Sequence, residues 1–201
     1  MEHHAFRSSL SAARFESLFT AIDARLAKGN SLIVAIDGSS ASGKTTLAAL
    51  LAEKYDCNVF HMDDFFLRLH QRTPERFAEP GGNVDYERFR EEVLLPLARQ
   101  QAFSYQPFSC SSMALAAAVP VSPKRLSIVE GAYSMHPALG DYADVSVFVQ
   151  IDGDKQRARI EARNSPAFAA RFFSEWIPLE QAYFAACHPA ARCHIQLEVE
   201  L

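Results

Sequence analysis

Leu32-Ile33-Val34-Ala35-Ile36-Asp37-Gly38-Ser39-Ser40-Ala41-Ser42-Gly43-Lys44-Thr45-Thr46 is the stretch that decides the fold. Its first five residues form a continuous β-rich run that is apolar on both faces, the pattern of a parallel strand covered by helices on each side. The run leads into Gly38-x-x-x-x-Gly43-Lys44-Thr45, the phosphate-loop spacing, placed between a core strand and the start of a helix. Small residues let backbone N–H groups crowd around phosphate oxygens, and the helix N-terminus adds partial positive charge. Lys44 is expected to bridge β- and γ-phosphates and the Thr45 hydroxyl to bind Mg²⁺. Gly38, Ser39, Ser40, Ala41, Ser42, Gly43, Lys44, Thr45 and Thr46 are therefore the candidate nucleotide-binding set. The loop alone does not separate kinases from motors or switches.

Outward from the loop, Thr45 to Tyr55 reads as a helix on Leu47, Leu50 and Leu51, and Asn58 to Met62 as a second strand. Strand, loop, helix and strand make a βαβ unit with a right-handed crossover. Upstream, within 1–30, Leu10 to Lys28 has the three-and-four apolar spacing of an amphipathic helix, closed by Gly29. Downstream, Asp63 to Asn83 is a polar excursion ending in Pro80-Gly81-Gly82, and excursions of this length are usually functional or disordered. Asp85 to Arg99 is helical in pattern. From Phe103 to Val121 there is no clear period, and a hairpin is the expectation. Leu126 to Glu130 and Val145 to Val149 read as core strands, Asp154 to Arg163 and Ala167 to Ala186 as helices, and Ile195 to Val199 as a short last strand. This alternation indicates one domain over 1–201 with a three-layer α/β/α fold and a mostly parallel sheet, a P-loop NTPase architecture.

The chain has 201 residues, 49% hydrophobic and 22% charged, a globular composition. Its net charge of −4 argues against a general nucleic-acid binder, which needs a basic face. Apolar stretches are strand-sized, far short of the roughly 20 residues of a membrane span. Met1 to Phe6 carries no secretory pattern, so a cytoplasmic protein with reduced thiols at Cys57, Cys110, Cys187 and Cys193 is expected. The Cys187-His188 and Cys193-His194 pairs match no common zinc spacing and are read as ordinary residues.

The second strand runs into His61-Met62-Asp63-Asp64-Phe65-Phe66, which puts an acidic pair at a strand's carboxyl end, where open α/β sheets place ligands. Asp63 could accept or orient the proton of an attacking hydroxyl; the alternative is a solvated loop acid or a helix cap, the plainer reading for Asp64. Phe65 and Phe66 are read as core or pocket wall. Asp85 could equally cap the helix that follows it. Glu130 ends a core strand beside the loop, where Mg²⁺ with its waters or a salt bridge would satisfy it.

From Leu32 to about Phe184 the chain resembles the uridine kinase and nicotinamide riboside kinase group of P-loop kinases. The resemblance rests on the loop Gly38 to Thr46, on Asp63-Asp64-Phe65-Phe66, on Asn83-Val84-Asp85-Tyr86 and on Ile128-Val129-Glu130-Gly131, in the group's usual order. It implies ATP and Mg²⁺ as cofactors, Asp63 as the catalytic carboxylate, Asp85 as a ribose contact, Glu130 beside Thr45 at the metal, and 63–84 as the acceptor-side loop. It also implies a lid, here about 154–172, whose arginines neutralise the transferring phosphoryl group. Arg159 and Arg163, four apart on one helix face, are the lid candidates ahead of Arg171; a solvated surface stripe is the alternative. Tyr105 is the candidate acceptor-contacting aromatic. Two departures bear on the acceptor: the lid has Asn164-Ser165-Pro166 in place of a dense arginine run, and 103–121 contains no histidine. Phe172 to Pro178 is similar to the nicotinamide riboside kinase side. A small-molecule kinase with a nucleoside-like acceptor is thus the expectation, with a vitamin or sugar kinase as the alternative. A switch or motor ATPase is the rival of another class, against which stand the absent guanine-reading motif and the absent Asp-Glu strand end.

Overall fold

In the computed structural model, residues 12–198 are described; Leu10 and Ser11 of the expected first helix, and Val199 of the last strand, lie outside them. Helix α1, Ala12–Leu26, precedes strand β1, Leu32–Gly38, and helix α2, Lys44–Lys54, follows the loop. Strand β2 is Cys57–His61, one residue earlier than the expected span, because Met62 already begins a 3₁₀ turn, Met62–Phe65. The excursion after it is ordered: a second 3₁₀ turn at Leu69–Gln71, a short helix α3, Pro74–Ala78, and a bridge between Phe66 and Val84. Helix α4 covers 86–98, with a π turn at Arg90–Leu94 inside it.

Between α4 and the sheet, strands β3, Phe103–Tyr105, and β4, Phe108–Ser109, are followed by β5, Ala114–Leu115, and β6, Val119–Val121. They make two nested antiparallel ladders, β3 with β6 and β4 with β5. Strands β7, Leu126–Glu130, and β8, Val145–Gln150, complete the interior of the sheet. Helix α5, Gly153–Arg163, starts on the Asp152 cap, whose carboxylate accepts from the N–H groups of Asp154 and Lys155. Helix α6 runs over 166–187 with a π turn at Phe172–Trp176; α7, Pro189–Arg192, and β9, Ile195–Glu198, follow.

The five-stranded sheet has the order β2-β7-β1-β8-β9, and every pair in it is parallel. Alternation along the strands sends side chains to two cores. Val34, Ile36, Ile128 and Val147 pack with Phe15, Leu18 and Ile22 of α1 and with Leu47 and Leu51 of α2. On the other face, Phe60 and Val129 pack with Phe89 and Val93 of α4 and Tyr183 of α6. Helices thus cover both faces, giving the expected three layers. Among the described residues no helix is long and apolar enough to cross a membrane.

Candidate active site

β1 is the central strand, and its carboxyl end delivers the loop at the middle of the sheet edge. Gly38 has φ +139°, and a Cβ there would lie 1.9 Å from the Val149 carbonyl oxygen, so β8 presses too close for any other residue. Ala41 holds a left-handed φ of +61° without being glycine, a conformation that the surrounding contacts must enforce. The Lys44 ammonium donates to the carbonyls of Gly38 (2.9 Å) and Ser39 (2.8 Å). The Ser42 hydroxyl is buried with no hydrogen-bond partner among the described residues.

Two carboxylates that the motif reading passed over hold this loop in shape. Asp37, fully buried, accepts from the N–H groups of Gly38, Tyr133 and Met135 and from the Tyr183 hydroxyl at 2.7 Å. Burial pushes its carboxyl up, while these donors and Lys44 pull it back. Glu180 of α6, only 3% exposed, accepts from the Ser40 N–H at 3.0 Å and from the Ser40 hydroxyl. Burial raises its pKa, opposed first by Lys44 and then by the Ser40 donors. From α5, Gln156 donates to the Ser40 carbonyl and Arg159 to that of Ala41. Arg159, expected to neutralise phosphate from a lid, here grips the loop's backbone; Arg163 stays at the exposed end of α5. Arg171 is also on the surface, paired with Glu175 at 2.9 Å and set over the Trp176 ring.

At the next sheet positions, β7 and β2 bring Glu130 and His61 side by side in register. The Glu130 carboxylate accepts from Thr45 Oγ1 at 3.1 Å and lies 2.6 Å from His61 Nδ1. That hydrogen bond raises the His61 pKa against the burial that would lower it. Gly131, at φ +136°, lets the chain turn under Met62, where a Cβ would come within 2.8 Å of the Met62 Cβ. Asp63 lies in the 3₁₀ turn with an exposed face, yet the atoms and charges around it matter: desolvation raises its pKa, Lys44 lowers it and Glu130 raises it. Lys44, Thr45, Asp63 and Glu130 therefore meet at one sheet edge, with oxygen donors from Thr45 and Glu130 of the kind a hard divalent cation takes.

The remaining expected contacts are placed differently. Asp85 is 1% exposed and caps α4 by accepting from the Arg88 N–H; its second oxygen faces Arg68 at 3.3 Å and Arg88 at 3.6 Å. The cap is thus its evident role, and Arg68 stands on its outer side. Tyr105 lends its ring to the core, stacked on Phe65 and edge-on to Phe60, and only its hydroxyl reaches out, to Asp64 at 3.3 Å. Burial and Asp64 push that phenol up to about 12. Tyr133 adopts φ +73° beside Asp37, and burial, then the Glu180 charge, push its phenol up against a hydrogen bond with Asn83. Among the described residues no His, Cys, Asp and Glu group is arranged as a metal site, including the Cys187 to His194 segment.

No protein-family model and no curated protein matches the chain. Solved structures do. A possible uridine kinase from Bacillus stearothermophilus aligns over 90% of this chain and 99% of its own, with a TM-score of 0.63 and 22% identity. A protein from Silicibacter sp. TM1040, provisionally named a fructose transport system kinase, aligns over 78% and 86% with a TM-score of 0.60 and 26% identity. The protein TT1252 from Thermus thermophilus aligns over 86% and 90%, at 0.51 and 17%. The fold is that of P-loop kinases, in agreement with the resemblance drawn from the motifs.

Proposed function

We propose that the chain is an ATP- and Mg²⁺-dependent kinase that transfers the γ-phosphoryl group to a hydroxyl of a small, nucleoside-like molecule. The observation that carries this is the placement of an accessible carboxylate, Asp63, within electrostatic reach of the phosphate-loop lysine Lys44. A switch needs no base at that point; a kinase needs one, to take the acceptor proton as its oxygen attacks the γ-phosphorus and the bond to the β-phosphate breaks. The names of the two neighbours described above, a possible uridine kinase and a fructose transport system kinase, support the same class.

Lys44 would leave the Gly38 and Ser39 carbonyls for the β- and γ-phosphate oxygens, a short movement about a flexible stem. The Thr45 hydroxyl and the Glu130 carboxylate would hold Mg²⁺, which would supply charge neutralisation for the phosphates. The second neighbour's name keeps a sugar acceptor as the alternative.

The test is ADP release from ATP in a coupled assay, run across nucleosides, sugars and vitamins bearing a primary hydroxyl. Stimulation by an acceptor, with a phosphorylated product by mass spectrometry, is the expected result. Steady hydrolysis that no acceptor alters would instead mark a switch or ATPase.

A further inference from the structure

Four arginines that are not fully exposed lie here, at 68, 72 and 76 in the acceptor-side excursion and at 88 in α4, whose Arg90 is exposed. Three of the four have carboxylate partners: Arg68 with Asp85 at 3.3 Å, Arg76 with Glu87 at 2.7 Å, and Arg88 with Glu92 at 3.3 Å. Arg72 differs. It is half-buried, its Nε donates to the Leu67 carbonyl at 2.9 Å, and its guanidinium lies over the Phe108 ring, 5.6 Å from the centroid. Its two terminal nitrogens have no partner among the described residues. A side chain with donors only, partly withdrawn from water and set over an aromatic ring, presents a planar fork that fits a carboxylate or phosphate.

Its position gives the fork a use. Phe108 opens β4, which packs on the 3₁₀ turn that carries Asp63. Burial raises the thiol of Cys110, immediately beyond β4, with Arg72 and Arg171 pulling it down and Asp63 pushing it up. Arg72, set over Phe108, and Asp63, in the turn that packs on β4, therefore both lie beside β4, one as a cation with no carboxylate partner among the described residues and the other as the base.

We propose that the phosphoryl acceptor is itself an anion, bearing a carboxylate or phosphate that Arg72 receives while Asp63 faces the hydroxyl to be phosphorylated. The inference rests on the kinase reading of the chain. A neutral nucleoside offers hydroxyl and amide groups that a guanidinium recognises weakly, whereas a charge-assisted fork to an oxyanion is among the stronger single contacts a site can make.

Matched acceptors that keep the primary hydroxyl free test it: ribose against ribose 1-phosphate, glycerol against glycerate and glycerol 3-phosphate, uridine against uridine 3′-monophosphate, each in the ADP-release assay. Turnover should favour an anionic member, and whether carboxylate or phosphate wins identifies the group. For that acceptor, Arg72→Met should raise KM by about tenfold to a hundredfold and leave the KM for ATP unchanged. Arg72→Lys, which keeps the charge and alters only the fork, should recover part of the loss and covers the case in which Arg72→Met folds poorly. Preference for the neutral member of the pairs, or an unchanged acceptor KM in both variants, overturns the inference and leaves the kinase standing. No stimulation by any member removes both.

Discussion

Glu180 meets Ser40 across 140 positions of sequence, and that contact shows what single residues do here beyond the motif. A phosphate loop is usually pictured as backbone N–H groups awaiting an anion; in this chain one of them already binds a buried carboxylate, with Gln156 and Arg159 holding the neighbouring carbonyls. A buried acid with a raised pKa keeps its proton to higher pH in the folded chain than in the unfolded one, so its contribution falls as pH climbs from the ordinary glutamate range through the folded value. Glu180→Gln keeps an oxygen for Ser40 and removes the charge. Wild type should therefore lose thermal stability relative to this variant as pH rises from about 4.5 to neutrality, followed by scanning calorimetry on both. For Asp63, whose role is chemical, Asp63→Asn should lower kcat by about a hundredfold to ten-thousandfold while ATP binding, measured by titration calorimetry, holds. Equal loss of ATP affinity would move Asp63 out of the base role. Motif spacing could not reveal Glu180 or Asp37, because both act at long sequence separation. A signal was present in composition: Asp37 is the lone charge at the end of an apolar strand, and Glu180 follows Trp176-Ile177-Pro178-Leu179, so each had to find donors in the interior.

Elements were the most legible level, since period and length suffice for the strands Leu32–Gly38, Leu126–Glu130 and Val145–Gln150. What the period hides is the extra residue of a π turn. Both long helices of the second core contain one, at Arg90–Leu94 and Phe172–Trp176, and apolar spacing reads straight through them. Polarity likewise disguised the excursion, whose order comes from Arg76 reaching the carbonyls of Gly82 and Val84 and the carboxylate of Glu87. Helix α5 couples element stability to the site, since its Asp152 cap sits one turn before Gln156 and two before Arg159. Asp152→Ala leaves the N–H groups of Asp154 and Lys155 without their acceptor and should cost about 0.5–2 kcal/mol in urea unfolding. A parallel rise in the KM for ATP is expected, because the frayed turn carries Gln156.

At the scale of the whole molecule, the three-layer order followed from alternating strands and helices, whereas the sheet order did not, because β1 pairs with strands from the chain's second half. Stability is concentrated in the first core, where Leu18 is fully buried between α1 and the sheet. Leu18→Ala should lower unfolding free energy by about 2–5 kcal/mol with the urea m-value unchanged and kcat retained at permissive temperature. A chain ended before α6 would keep the motif Gly38 to Thr46 yet lose Glu180 and Tyr183, and is expected to bind ATP weakly in a filter assay.

The central place of β1 also has a consequence for synthesis. Both of its neighbours, β7 and β8, are translated long after it, and the carboxylate for Ser40 arrives 140 residues later. At about 5–20 residues per second, that interval is roughly 7 to 28 s. For about the first two thirds of it, until β7 is made, the nascent chain carries an apolar strand with both edges unpaired, the kind of segment that aggregates or recruits chaperones.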